Sequence, residues 1–594
     1  MPQTLPQTLH YCVDPFDPSG HRLRVRLQIN KPHPGGQVVS LPAWIPGSYL
    51  IRDFSRHIET LEGHANGERI GVRKIDSHTW QFARCKGPLA IDIVVYAWDL
   101  SVRGAHVDET HAFFNGTSVF LQAKGWEGHA CTVQLKHPPH TRGWQAYTSM
   151  PQLPNRSAKD SLGFFHAPDY DALIDHPFEL GKPQVVSFKA HGLIHEMVFT
   201  GAAPALDLKR IARDTQRICE AQIALFEPAD KVSPVRDSSG KYVFMTLVTS
   251  DGYGGLEHRA STALIASRKD LPLKTQAKAP EGYATFLGLV SHEYFHTWHV
   301  KRIKPAAFVP YHLQAPDHTE LLWIFEGFTS YYDDLMALRS GVIDQATYLK
   351  QLSKTVSAVH GGAGRFKQSL GQSSFDAWTK YYKQDENAPN AIVSYYAKGA
   401  LVALGLDLTI RAQSQGRYSL DDVMRTLWRN YGKRFYTGQS KGLREHELPE
   451  IIRQSTGVNV SRQIRQWAYA CDDVPLAELL PMHGFKLTWK TADELPGMDA
   501  TFKSVSGALT VAQVFEGGAA HLGGLSAKDT LVAINGLRIG PTVDSLKQHL
   551  RALKPKDVAK VSAFRDDVLM HLSITLSAPK QSVCVIEPAT QTKD

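Results

Sequence analysis

The spacing of apolar residues changes twice along the chain. From about Leu9 to Phe188, short runs alternate apolar and polar positions: His21–Ile29, Gly36–Leu41, Thr79–Ala83, Leu89–Tyr96 and Thr132–Leu135. Pro, Gly, Asn and Asp separate them. A period of two sends alternate side chains to one face of a strand, so this region is predicted to be all-β, a sandwich or a related fold. From Asp207 the period becomes helical. In Asp207–Phe226 the apolar positions are Leu208, Ile211, Ile218, Ile223 and Leu225. A strand is predicted at Tyr242–Val248. Beyond it the pattern is mostly helical to about Leu480: Gly282–Val300, Leu321–Leu338, Ala391–Ala412 and Leu420–Tyr431, the last with Ser419 as N-cap. From about Gly497 to Ser577 short strands and Gly-rich turns return. The polar stretch Ala578–Asp594 is predicted to fray, and the doubled Pro-Gln-Thr-Leu of residues 2–9 reads as a disordered tail.

Length and composition narrow this picture. A chain of 594 residues holds about three or four domains at roughly 100–200 residues each. A hydrophobic share of 43% with 21% charged residues supports real cores. The net charge of +8 is spread along the chain, and its densest basic stretch, His299 to Lys304, is short. No nucleic-acid surface is expected from that distribution. Cys12, Cys85, Cys131, Cys219, Cys471 and Cys584 form no C-x-x-C pair. Neither a cysteine zinc site nor a disulfide framework is expected, and free thiols suit a reducing compartment. Residues 1–20 lack a basic start followed by an apolar run, and no apolar stretch reaches the ~20 residues of a membrane span. The expectation is a cytoplasmic protein with no membrane partner.

The candidate chemistry lies at Ser291-His292-Glu293-Tyr294-Phe295-His296. In a helix, positions i and i+4 share a face, so His292 and His296 can offer two imidazoles to one zinc ion. Glu293 follows the first histidine and is placed to act as base on a zinc-bound water. A catalytic zinc needs a third protein ligand. Glu326 is the one carboxylate in the apolar and aromatic stretch Trp323–Tyr332, where an unpaired Glu is disfavoured. His299 competes by position. The following Lys301, Arg302 and Lys304 would repel a cation, so Glu326 is the preferred ligand.

The spacing His292–Glu293–x–x–His296–x–Trp298, then Trp323–x–x–Glu326–Gly327–Phe328–Thr329–x–Tyr331, resembles the gluzincin metallopeptidases. The aminopeptidase N branch carries H-E-x-x-H-x-W and W-x-x-E-G-F-A-x-Y. Here the gap between the second and third ligands is longer. Also, His299-Val300-Lys301-Arg302-Ile303-Lys304-Pro305 stands where that branch has a Gly-Asn motif. Both departures resemble the glycyl aminopeptidase family, related to aminopeptidase N and carrying an appended PDZ domain.

Four further segments are read beside that resemblance. In Gly252-Tyr253-Gly254-Gly255-Leu256-Glu257-His258, glycines allow close backbone approach, and an extended peptide can pair along such an edge. Glu257 would meet the peptide ammonium; an ordinary Gly-rich turn is the competing reading. The segment looks like the G-x-M-E-N motif of aminopeptidase N relatives. The resemblance implies that Glu257 binds the free amine while Gly254 and Gly255 line the substrate. Tyr395-Tyr396-Ala397-Lys398-Gly399 resembles the Y-E-K-G of those relatives, whose tyrosine donates to the oxyanion. The register favours Tyr396, with Tyr395 as the alternative and Lys398 in a structural part. Gly507–Val511, Gly517–Ala520 and Gly523–Gly536 resemble bacterial PDZ domains, with Asp529 and Asn535-Gly536 in register. Leu41–Phe54 resembles the N-terminal signature of the glycyl aminopeptidases. Arg52 and Asp53 there read as a surface pair before they read as site residues.

The expected architecture is multidomain. An all-β N-terminal domain spans 1–190, a mainly α, thermolysin-like catalytic domain 191–490, a C-terminal PDZ domain (β-rich α+β) 491–580 and a flexible tail 581–594. The expected activity is zinc-dependent hydrolysis of the first peptide bond of peptides with a free N-terminus. One Zn²⁺ per chain is held by His292, His296 and Glu326. Glu293 and Tyr396 are catalytic, and Glu257, Gly254 and Gly255 bind substrate. Family resemblance implies small first residues, Gly or Ala. The PDZ domain is expected to bind peptides or to pack against the rest of the chain. The alternatives are an endopeptidase of the same fold, or a PDZ-type peptide-binding protein with a non-catalytic zinc site.

Overall fold

A computed structural model describes residues 8–154, 160–438 and 440–589. Most of the predicted tail repeat at residues 2–9, and the last five residues, lie outside the described residues. The chain divides into two compact units. The first comprises Met1–Asp317, Tyr332–Ile343 and Met424–Arg444; the second comprises His318–Tyr331, Asp344–Val423 and Glu445–Asp594. The expected catalytic region is thus shared between both.

The first unit opens with β structure, as the period-two pattern predicts. Strands β1 (Leu9–Asp17), β2 (Arg22–Ile29), β3 (Leu89–Tyr96) and β4 (Cys131–Lys136) lie in a seven-stranded sheet. Two four-stranded sheets accompany it. The alternation is literal in β3, where Leu89, Ile91, Ile93 and Val95 are buried and the residues between them are more exposed. These side chains join one core with Val25, Leu27, Phe114 and Trp80.

The strand β5 (Gln184–Ala190), expected at the end of the first domain, belongs instead to the next sheet. Its five strands run in the order β5, β6 (Leu193–Thr200), β7 (Lys241–Thr249), β9 (Ser261–Ser267) and β8 (Tyr253–Glu257). β6 and β7 are parallel, and parallel neighbours need a crossover. Helix α1 (Leu208–Phe226) supplies it, started by the Asp207 side chain accepting from Arg210 N. β8 and β9 fall where the sequence reading places mainly helices. Gly254-Gly255 carries no hydrophobic alternation that would announce a strand. Among the described residues β8 pairs only with β9, antiparallel, and forms the sheet edge.

Helix α2 (Tyr283–Phe295) carries the H-E-x-x-H segment. It is apolar nearly all round and buried nearly all round, with Phe286, Leu287, Leu289 and Val290 enclosed. It ends five residues before the expected Val300. Val300 adopts φ +115°, outside the helical region and costly for a β-branched residue. Helix α3 (Leu322–Arg339) matches the expected span closely and passes from the second unit into the first.

In the second unit, the helix expected at Ala391–Ala412 is broken. A short turn of helix at Ala388–Ala391 is followed by extended Ile392, and α5 (Ala397–Gln413) then begins. Ile392-Val393-Ser394-Tyr395-Tyr396 is a run of β-branched and aromatic residues with poor helix propensity. The Ser394 hydroxyl accepts from Ala397 N at 3.1 Å and restarts the helix. The tail is the second correction. Gln581–Pro588 is strand β11, paired antiparallel with β10 (Phe485–Thr491). On its other side Cys584 N and Ile586 N donate to Ser357 and Ser353 of α4 (Gln345–Gly361) at 2.8 and 3.0 Å. The strand is held by burying Cys584 and Ile586 while its outer amides find hydroxyl acceptors. Residues 498–576 hold a separate core of Leu509, Val511, Leu531, Ile534, Leu546 and Val561. Asn535 and Gly536 both take positive φ in a tight hairpin turn. All six cysteines are free thiols, and among the described residues no helix is long and apolar enough to cross a membrane.

Candidate active site

In the first unit α2 brings His292 and His296 together, with ring centroids 4.7 Å apart and planes at 83°. Each ring is held by its Nδ1. His292 Nδ1 lies 3.1 Å from Asp333 Oδ2 on α3, and His296 Nδ1 lies 2.7 Å from the carbonyl of His299. A ring donating from Nδ1 presents Nε2 to a metal, with the tautomer fixed by its partner. The turn at Val300 lets the chain fold back so that the His299 carbonyl reaches its partner. His299, weighed above as a ligand, therefore enters this arrangement through its backbone.

The helix itself is anchored from behind. Gln222 of α1 donates to the Ser291 carbonyl at 2.8 Å, and Ser291 Oγ donates to the carbonyl of Asp333 at 2.7 Å. Under the motif, buried His195 pairs with Tyr294 Oη at 2.9 Å, and burial pushes its pKa down to about 4. Burial also raises the Asp333 carboxyl, against the hydrogen bond from His292.

Strand β8 faces α2 at close range. A side chain at Gly255 would run into the Glu293 carboxylate and displace it. At Gly254 nothing lies within 4 Å of a built Cβ, so that position is open. Ligand-type atoms of Glu257, Glu293 and His296 lie within 4.8 Å of one another. Glu257 is 3% exposed, and its Oε1 has no hydrogen-bond donor among the described residues. Gly47, from the Pro46-Gly47 turn, backs it so closely that an added Cβ would lie 2.5 Å from its Oε2. The open edge, the glycines and a buried carboxylate thus occur together. The segment is a strand edge and not a solvated turn. His258 Nδ1 pairs with Asp175 Oδ1 at 2.9 Å, and Lys301 Nζ reaches the same oxygen at 2.8 Å. Arg52 donates to Ser48 Oγ at 2.8 Å.

In the second unit Glu326 is 2% exposed near the start of α3. It lies seven positions before Asp333, about two turns, and therefore on the same helix face. α3 and α5 cross at Gly327 and Gly399, backbone against backbone. That crossing sets Glu326 beside a tyrosine cluster. Burial raises the Tyr395 phenol well above its ordinary value, with Tyr382 and then Glu326 adding to the effect. Tyr395 is fully buried and stacks on Tyr396 at 4.6 Å. Tyr396 Oη lies 3.2 Å from Tyr382 Oη. Lys398 is enclosed, with Nζ 3.4 Å from the Arg365 carbonyl.

The sequence reading missed Asp333, Gln222 and the Asp175–His258–Lys301 group. For Asp333 a signal existed: its place two turns after Glu326 on a largely apolar helix. Gln222 and Asp175 come from distant segments, and no local pattern marks them.

Two family models match the chain: the peptidase M61 N-terminal domain over residues 10–182 and the M61 glycyl aminopeptidase over residues 285–402. An aminopeptidase N family protein from Idiomarina loihiensis is similar along nearly the whole length. It has 41% identity, covers 98% of each chain and gives a TM-score of 0.92. The M1 zinc metallopeptidase from Deinococcus radiodurans has 13% identity and a TM-score of 0.47 over 79% of this chain and 95% of that one. No curated protein matches.

Proposed function

The chain belongs to the aminopeptidase N family and carries peptidase M61 domains, and from that premise we propose that it is a zinc aminopeptidase releasing single residues from peptides with a free N-terminus. The observation that carries this reading is the pinned pair of imidazoles on α2, beside a glutamate packed on a glycine edge strand.

His292, His296 and Glu326 are the residues that would hold one zinc ion. The donor set fits: two neutral imidazoles with committed Nδ1 atoms and one buried carboxylate suit Zn²⁺. The helical phase of Glu326 relative to Asp333 supports its part. When bound, zinc polarises the peptide carbonyl and makes water acidic near neutral pH.

The chain's own residues do the rest. Glu293 takes the proton of the attacking water and delivers it to the leaving nitrogen. Tyr396 O–H donates to the oxygen on which negative charge develops. The peptide runs along β8, where Gly254 and Gly255 let its backbone come close. The unsatisfied Glu257 carboxylate accepts the substrate ammonium, fixing the register so that only the first peptide bond meets Glu293. A preference for Gly or Ala as first residue, a cytoplasmic site of action and a PDZ domain over residues 491–580 belong to the same proposal. The PDZ reading is supported by the Asn535-Gly536 hairpin and the separate core around Leu531.

The test compares free and N-acetylated peptides beginning with Gly or Ala, using the full chain and Glu293→Gln. The reading requires that free peptides lose one residue at a time and acetylated ones stay intact. Glu293→Gln should stop turnover while zinc stays bound. Internal cleavage of acetylated peptides would make the protein an endopeptidase instead, and full turnover by Glu293→Gln would remove the mechanism.

A further inference from the structure

A cavity of about 630 Å³ lies in the first unit, and Lys304, Phe308, Tyr311, Phe435 and Tyr436 are among its lining residues. Lys304 is 3% exposed. Its Nζ stands over three of those rings, 4.4 Å from the centroid of Tyr311, 4.9 Å from Phe435 and 5.6 Å from Tyr436. No carboxylate among the described residues comes within ion-pair distance of this nitrogen, and it makes no hydrogen bond with them. The neighbouring buried cations are each served differently: Lys301 has Asp175, and Arg302 has Asp237 at 2.6 Å. Lys304 alone of these three has no ion pair among the described residues: it faces aromatic rings and a cavity that Asp171 and Glu127 also line.

A buried amine without a counter-ion is held toward its neutral form. Burial pushes the Lys304 ammonium down to about 7, against the opposing pull of Asp171. A neutral amine is a nucleophile, and an apolar pocket is the setting in which lysines form Schiff bases.

We propose that Lys304 is a covalent capture site for aldehydes, with the cavity selecting those that carry an aromatic group. The amine nitrogen adds to the aldehyde carbon. The carbonyl oxygen leaves as water, taking both nitrogen protons, and a C=N bond remains. Protonated, that imine keeps a positive charge among the same three rings, which stabilise it by cation–π attraction. The site is independent of the peptidase reading.

The experiment treats the full-length protein with benzaldehyde and cyanoborohydride at pH 7. Hydride then adds to the imine carbon and leaves a stable benzylated amine, mapped by peptide mass spectrometry. Lys304 should be modified at least about tenfold faster than exposed lysines, which are almost wholly protonated at that pH. The advantage should vanish in urea, and it should shrink in Tyr436→Ala, which admits water to the amine. Modification of Lys304 no faster than exposed lysines in the folded chain, or an equal preference in urea, would overturn the proposal.

Discussion

Gly327 of α3 and Gly399 of α5 meet backbone to backbone: a Cβ built on Gly327 would lie 2.6 Å from the Gly399 Cα. The two helices can cross this closely only because neither residue has a side chain. Glu326 precedes one glycine by one position, and Tyr396 precedes the other by three. The crossing therefore sets the distance between a proposed ligand and a proposed oxyanion donor. Gly327→Ala or Gly399→Ala should separate the helices. Overpacking of this kind costs about 1–3 kcal/mol. Each variant should melt at a lower temperature and lose peptidase activity even while folded at 25 °C. An alanine variant with unchanged melting and unchanged turnover would deny the crossing any part in the site.

Asp333 holds His292 by Nδ1. Replacing it with Asn keeps the shape and removes the charge. Loss of such a partner costs about 10–100-fold in metal affinity. Zinc titration of Asp333→Asn against a fluorescent chelator should show a loss of that order, with His299, which acts through its carbonyl, insensitive to side-chain change. Equal zinc affinity in Asp333→Asn would leave the hydrogen bond without function.

Tyr396 and Tyr395 adjoin, and only kinetics separates them. Tyr395 is fully buried and packs, while Tyr396 is partly exposed. Tyr396→Phe should lower kcat by roughly 10²–10³-fold with KM little changed, the size seen when one oxyanion donor is removed. Tyr395→Phe should keep most of kcat. The reverse pattern would move the donor to Tyr395.

His195 makes stability depend on pH. Its folded pKa is pushed down to about 4 by burial, whereas an unfolded histidine titrates near 6.5. Between those values the unfolded chain takes up a proton that the folded chain does not. The stability is therefore complete above pH about 6.5 and is lost progressively as pH falls toward 4. Urea midpoints measured from pH 7.5 to 4.5 should fall, and His195→Gln should flatten that part of the curve. An equally steep fall in the variant would assign the effect to other groups.

Much of this was readable before any coordinates. The alternation in Leu89–Tyr96 gave the strand to the residue, because one buried face dictates a period of two. The helical spacing of apolar residues from Asp207 to Phe226 gave α1, which the structure starts at Leu208. The H-E-x-x-H segment announced that two imidazoles lie side by side, because helical spacing alone joins them. What stayed hidden has physical reasons. The edge strand β8 has two glycines and no hydrophobic pattern. Its strand character comes from pairing with Ser261–Ser267, and Gly255 makes room for Glu293, 38 positions away. Strand β11 is short and amphipathic, and it is fixed by pairing with β10 and by two serine hydroxyls on α4 that accept its outer amides. α2 ends early because Thr297 N and Trp298 N turn to the carbonyls of Tyr294 and Phe295, three residues back, before Val300 takes its positive φ. Pairings with distant segments leave no local trace.

The central claim is that His292, His296 and Glu326 hold one zinc ion, and metal analysis of the full-length protein tests it most directly. After extensive dialysis the wild type should retain one zinc per chain. Glu326→Ala should lose it or bind it at least about 10-fold more weakly, by loss of a first ligand. One tightly held zinc in Glu326→Ala, at wild-type affinity, would contradict the account.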